Sequence, residues 1–202
     1  ALTKGVLHLR AGQSKRPFSR QQLTSSGKQE VVDRALTDEA FGAGRDVGVM
    51  AHNGYTKGTG VEWAAGLFNG NGANVVPDAR FNPAAVARVG YNHGGIKGYS
   101  EADLEGGPLR FAVAASAQAH LDGTAEENNG LRGEMDFMLK VNGLSATGGL
   151  YMASPLDERA DDALGFHAQA GYVLAGDWQP AVRFASHMPA GDNNDESEMG
   201  VC

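Results

Sequence analysis

The sequence predicts an all-β protein: an antiparallel transmembrane β-barrel, about ten strands of which lie in this chain. Three observations carry that prediction. Apolar and polar residues alternate with period two along about ten segments of roughly eight to twelve residues, against the ~9–11 that a tilted strand needs to cross a bilayer. The connections between those segments alternate long and short. No apolar run approaches the length of a transmembrane helix.

Val6 to Gly12 puts Leu7, Leu9 and Ala11 on one face and His8 and Arg10 on the other, the signature of a strand wet on one side. Asp46 to Asn53 repeats it with Val47, Val49 and Ala51, and Asn53-Gly54 supplies a turn because both residues tolerate positive φ. Val61 to Asn69 sets Val61, Trp63, Ala65 and Leu67 opposite Glu62. Ala85 to Tyr91 sends Ala85, Ala87, Val89 and Tyr91 outward and Arg88 inward. Leu109 to His120 sets Leu109, Phe111, Val113, Ala115, Ala117 and Ala119 against Arg110, Ser116, Gln118 and His120. Leu131 to Val141 is the clearest case: Leu131, Met135, Phe137, Leu139 and Val141 face one way, Arg132, Glu134, Asp136 and Lys140 the other. Asn142-Gly143 makes the next turn. Ala146 to Ser154 is a strand whose facing the pattern leaves open. Phe166 to Leu174 sets Phe166, Ala168, Ala170, Tyr172 and Leu174 opposite His167 and Gln169. Gly176-Asp177 turns the chain into Val182 to Met188, with Arg183 and His187 facing in, and Glu198 to Cys202 begins a tenth strand.

Counted from the first, the odd connections are 13–45, 70–83, 121–130, 155–165 and 189–197, and the even ones include the short turns 54–60, 142–145 and 175–179. Long loops on one side and short turns on the other are the outer-membrane barrel pattern, which a soluble sandwich has no reason to keep. Only 92–108 breaks the parity. Closure is required because every backbone N–H and C=O must be paired in hydrocarbon.

The bulk numbers agree. A length of 202 residues suggests a single domain, 1–202. Hydrophobic content of 42% and a mean hydropathy of −0.32 look hydrophilic, as expected when lumen-facing and lipid-facing residues cancel in the average. No secretory signal is visible at Ala1, so the chain reads as mature or as a fragment. The single Cys202 rules out an internal disulfide framework. A net charge of −7 argues against nucleic acid as a partner. Enzyme signatures are absent: no Gly-x-Ser-x-Gly, His-Glu-x-x-His or P-loop. Ser116 or Ser186 with His120 or His187 is the only hydrolase pairing to consider, and nothing in the sequence favours it. The six histidines lack ligand spacing and no cofactor is expected. Asp157, Glu158, Asp161 and Asp162 form an acidic loop, more simply read as solvated than as a cation site.

The stretch from Gly12 to Gly54 organises the rest. A connection of that length without a strand pattern is usually functional. From Lys15 to Arg45 it carries six basic residues (Lys15, Arg16, Arg20, Lys28, Arg34, Arg45) against Glu30, Asp33, Asp38 and Glu39, a net of +2 in an acidic chain. Its residues also carry a resemblance. Gly12-Gln13-x-Lys15-x-Pro17-Phe18, Leu23-Thr24-Ser25-Ser26, Val32-Asp33-Arg34 and Phe41-x-x-Gly44-Arg45-Asp46-Val47-Gly48 resemble the phosphate-selective porin O and P family of outer-membrane barrels. Gly66-Leu67-Phe68-Asn69-Gly70 and Tyr99 to Gly107 extend it. The resemblance implies a barrel of about sixteen strands of which this chain is an interior section. It also implies a homotrimer in the outer membrane of a Gram-negative bacterium, in contact with lipid and lipopolysaccharide. The first long loop, 13–45, would fold inward and narrow the pore.

Two sets of cations follow as candidates for lining an anion path. Lys15, Arg16, Arg20, Lys28, Arg34 and Arg45 would enter the lumen with the loop; the bland reading is that they staple it through Asp33, Asp38 or Glu39. Arg10, Arg88, Arg110, Arg132, Lys140 and Arg183 sit on the polar phase of their strands, where Glu62, Glu134 and Asp136 could neutralise them. Arginine suits phosphate because its planar fork binds two oxygens at once. The family's phosphate selectivity goes with a dense arginine run and a lysine cluster; no Arg-x-Arg-x-Arg run occurs here, so the expectation is an anion preference open to phosphate-like ions. Trp63, Phe68, Tyr91, Phe111, Phe137, Phe166, Tyr172, Trp178 and Phe184 are candidates for interfacial girdles. The reading is thus a porin for passive diffusion of small hydrophilic solutes. Its rivals are a plugged structural or adhesive barrel, a soluble β-rich binding domain and a membrane-embedded hydrolase.

Overall fold

A computed structural model describes residues 7–56, 59–75, 83–121, 130–155, 162–174, 178–191 and 195–202. Ten strands form one antiparallel meander in chain order: β1 (His8–Lys15), β2 (Arg45–His52), β3 (Gly60–Phe68), β4 (Ala84–His93), β5 (Arg110–His120), β6 (Gly130–Val141), β7 (Leu144–Pro155), β8 (Ala163–Tyr172), β9 (Ala181–Met188) and β10 (Glu196–Val201). Each strand pairs with the next, and β1 and β10 are the sheet edges. Two short helices lie in the first connection, α1 (Arg20–Leu23) and α2 (Leu36–Phe41). Among the described residues, no helix is long and apolar enough to cross a membrane.

The strands stand where the alternation puts them, with ends shifted by a few residues. The first connection is shorter than the pattern suggests, because β1–β2 pairing runs on to Lys15↔Arg45 and leaves 16–44 as the loop. Asn142 and Gly143 both take positive φ (48° and 88°) and close a two-residue hairpin whose twist matches that of the flanking strands. The facing of β7, open in the sequence, is settled: Ser145, Thr147 and Tyr151 are buried on the inner side, and Leu144, Leu150 and Met152 are exposed. Phe68 departs from the girdle expectation. It occupies the inward phase of β3 with Glu62 and Ala64, and is buried against Phe18 and Met50. Of the acidic loop, Asp157, Glu158 and Asp161 lie outside the described residues, as does the Gly176-Asp177 turn.

The sheet's amphipathicity is inverted relative to a soluble protein. Val89, Met135 and Leu150 are each more than half exposed, while Arg88, Glu134, Asp136, Gln169 and Arg183 are buried. Exposed apolar side chains run from Leu9 on β1 to Val201 on β10. An apolar surface ten strands wide far exceeds the few hundred Å² that soluble monomers tolerate. It suits hydrocarbon, with backbone groups satisfied strand to strand.

Residues 16–44 cover the inner, polar face. Phe18 and Phe41 pack with Met50, Phe68, Val86 and Tyr151. A second connection, 94–109, folds over the same face from the opposite end of the strands; its Ile96 and Tyr99 pack with Ala112, Met138 and the loop's Leu23. This is the connection that broke the length parity. It is long because it is an inner cap rather than a turn.

Candidate functional site

The inner face is built from three contacts between distant parts of the chain. The first is a buried ion cluster. Arg20, on the first turn of α1, donates from Nε to Asp136 Oδ1 (2.5 Å), and its backbone N–H donates to Glu134 Oε1 (3.2 Å). Arg88 on β4 donates to Ser116 Oγ (2.7 Å) and Glu134 Oε2 (3.1 Å), and pairs with Asp136 Oδ2 (2.7 Å). The Arg20 guanidinium lies 4.2 Å above the Tyr99 ring, whose hydroxyl donates to Glu62 Oε2 (2.6 Å). Burial, with Glu62 adding to it, pushes the Tyr99 phenol up; Arg88 and Arg20 pull the other way.

In the second contact Ser19 caps α1 and donates to Asp38 Oδ1 on α2 (2.6 Å), with Tyr151 3.2 Å away on β7. Burial raises the Asp38 carboxyl above its usual range, against the Ser19 bond and Arg34. The third contact joins the loop to the 94–109 cap. Thr24 Oγ1 donates to the Tyr99 carbonyl (3.1 Å), Glu101 N to the Lys28 carbonyl (2.9 Å) and Glu30 N to Glu101 Oε2 (2.9 Å). Gln169 Nε2 reaches both Glu30 Oε2 and Glu101 Oε2 at 2.9 Å. Burial raises the Glu101 carboxyl.

Two inward-phase glycines on β8 leave room for the loop. A Cβ on Gly165 would lie 2.6 Å from the Phe41 ring, and one on Gly171 would lie 2.8 Å from Glu30 Oε1. Either would collide with the docked loop.

The twelve candidate cations separate into two groups. Most are committed to protein. Lys15 Nζ donates to the Gln22, Leu23 and Thr24 carbonyls (2.6, 3.3 and 3.0 Å). Arg16 donates from Nε to the Ala43 carbonyl (2.6 Å), although its buried Nη1 has no partner. Arg20 and Arg88 belong to the ion cluster. Arg34 pairs with Asp38 (3.3 Å) and reaches the Thr24 carbonyl. Arg110 pairs with Asp103 and with Glu105 (2.5 Å). Arg132 reaches the Phe41 carbonyl (3.4 Å), and Lys140 the Ala102 carbonyl (2.6 Å). Arg183 pairs with Glu198 and donates to the Asp33 and Arg34 carbonyls (2.5 and 3.1 Å). Arg10, Lys28 and Arg45 are exposed and form no ion pair among the described residues.

Arg10 and Arg45 share one place. A groove of about 610 Å³ runs along the inner side of β1 and β2. Its described lining holds Arg10, Lys15, Arg45, His8 and His52, and no Asp or Glu. A neighbouring groove of about 540 Å³ also includes Arg45 but carries Asp33, Asp38 and Glu39. Arg45 stands where the two meet. Among the described residues, no group of three or more His, Cys, Asp or Glu side chains could hold a metal ion.

Arg88, Arg110 and Arg183 are buried on the inner side of the sheet, and the sequence reading did not single out Tyr99, Glu101 and Gln169 as docking groups. Two signals were available: the over-long 94–109 connection, and glycines at inward strand positions, which mark close backbone approach.

Comparison with curated proteins gave no match, and comparison with solved structures gave none. Residues 2–94 match the model of the family described as phosphate-selective porin O and P, which supports an outer-membrane porin, a channel rather than an enzyme. The matched stretch includes β1 to β4 and the infolded loop, and β5 to β10 continue its ladder without a break. Over its matched segment, a little under half of its length, the chain is similar to the phosphate-selective porin O and P family.

Proposed function

We propose that the chain forms part of the wall and the constriction of an outer-membrane pore that passes small hydrophilic solutes with a preference for anions. The observation that carries this is the groove along β1 and β2, whose described lining has three fixed cations, two histidines and no carboxylate. Cations fixed on low-dielectric walls raise the local anion concentration. The ion-paired arginines of β4 and β9 contribute little to such a path because carboxylates offset them locally, the buried Glu134 and Asp136 for Arg88 and the partly exposed Glu198 for Arg183. Residues 16–44 narrow the passage by filling the inner face beside the groove. Phosphate is one of several anions such a groove would accept. The pore sits in the outer membrane of a Gram-negative bacterium, its apolar face against lipid and lipopolysaccharide, as a homotrimer.

The test is the reversal potential of the full native polypeptide in a planar bilayer under a salt gradient. An anion-preferring pore is expected. Arg10→Glu and Arg45→Glu should each move the preference toward cations. A cation-preferring parent pore, or charge reversals that leave the potential unchanged, would overturn the assignment of the groove.

A further inference from the structure

The basic groove has an aromatic end. His8 and His52 are directly paired across the β1–β2 ladder, and their rings stack at 5.2 Å with planes 16° apart. Tyr55 meets His52 edge to face at 5.5 Å. The set is held in place: Tyr55 and His52 are buried, and His52 Nδ1 accepts from the Gly54 backbone N–H at 2.9 Å. His8 is exposed to the groove. Arg10 lies two residues along β1 on the same face, ~7 Å from His8 at the strand rise. Its charge is close enough to Tyr55 to act on the phenol.

A guanidinium with no acidic partner among the described residues, carried two residues along β1 from an exposed histidine that lines the same groove, matches the two ends of a small anion that carries its charge on one side of a flat ring. Guanidinium binds a carboxylate through two parallel N–H···O bonds. An imidazole face accepts an offset aromatic ring at 4.5–7 Å between centroids. A phosphate or chloride ion would use only the first of these. Resting on the anion-path reading above, we infer that the β1–β2 groove selects among anions for single-ring aromatic carboxylates, with Arg10 holding the carboxylate and the His8–His52–Tyr55 stack holding the ring.

The experiment uses the full native polypeptide in planar bilayers with chloride as the current carrier. Benzoate, cyclohexanecarboxylate and acetate are added in turn. All three carry one charge, and the first two are similar in size, but only benzoate is flat and aromatic. Benzoate should reduce the chloride current at a roughly three- to tenfold lower concentration than cyclohexanecarboxylate, the range an aromatic contact supplies. His8→Ala should abolish that difference while leaving the anion preference in place. Tyr55→Phe, which keeps the ring, should preserve it. Equal block by benzoate and cyclohexanecarboxylate, or discrimination that survives His8→Ala, overturns the inference while the anion pore stands. A pore that prefers cations before any carboxylate is added overturns the anion-path reading itself.

Discussion

Replacing Arg20 with alanine tests whether the first loop is pinned to the wall by its own cation. The backbone N–H of residue 20 still reaches Glu134, so the helix start keeps one anchor. The change removes the 2.5 Å bond from Nε to Asp136, worth about 1.5–3 kcal/mol for a hydrogen bond to a charged group. It also removes the guanidinium from the Tyr99 ring, worth about 0.5–2 kcal/mol. The penalty of about 3–5 kcal/mol for orphaning a buried charge does not apply in full, because Arg88 still holds the other oxygen of Asp136 at 2.7 Å. Docking should therefore weaken by about 2–5 kcal/mol, making the undocked loop roughly thirtyfold to a few thousandfold more frequent. Amide hydrogen exchange in detergent reads this directly: protection should fall over 18–31 and hold in β5 to β8. Arg34→Ala is the control, since the partly exposed Arg34 contacts Asp38 and loop carbonyls rather than the wall cluster and should lower protection less than Arg20→Ala does. Unchanged protection over 18–31 in Arg20→Ala, or a loss spread evenly through the strands, would refute the staple.

Gly165→Ala should undock α2, because its Cβ would lie 2.6 Å from the Phe41 ring; a cost of about 1–3 kcal/mol should appear as faster exchange over 36–41 and noisier pore current. Gly171→Ala should act on Glu30 in the same way and loosen the joint with the 94–109 cap. Burial raises the carboxyls of Asp38 and Glu101, so each keeps its proton at a pH where the unfolded chain has lost it. Loop docking is then most stable below the ordinary carboxylate range near ~4 and weakens as pH rises through the raised native values. Protection over 19–30, corrected for intrinsic exchange, should increase as pH falls from 7 toward ~4; a decrease would refute the assignment of these two groups.

The strands were legible because the period-two signal is local: Leu131 to Val141 declares its facing without help from any other residue. β7 was not, because Gly148 and Gly149 interrupt the alternation, and only pairing with β6 and β8 fixes its phase. The basic loop was legible as a loop, and Arg34–Asp38 was legible as a staple because the partners are four residues apart. Its destination was not. Arg20 meets Asp136 across 116 residues and Glu30 meets Gln169 across 139, distances at which composition and spacing carry no information. The 94–109 connection offered one hint, an excess of length where a barrel normally makes a turn, and the inward glycines Gly165 and Gly171 offered another.

Charge placement and charge availability are separate properties, and the proposed conduction path rests on the second. Arg88 and Arg10 both occupy inward positions of their strands and look equivalent in the sequence. Arg88 faces Glu134 and Asp136 on a strand two places away, within 3.1 Å and 2.7 Å, so its field is spent inside the wall. Arg10 faces Met50 across the ladder and Tyr55 beyond it, neither of which carries a compensating charge. On the proposed anion path, the positive charge that no carboxylate of the described groove lining offsets lies along β1 and β2 rather than in the middle of the sheet. The uncharged neighbours of Arg10 set the route as much as Arg10 does.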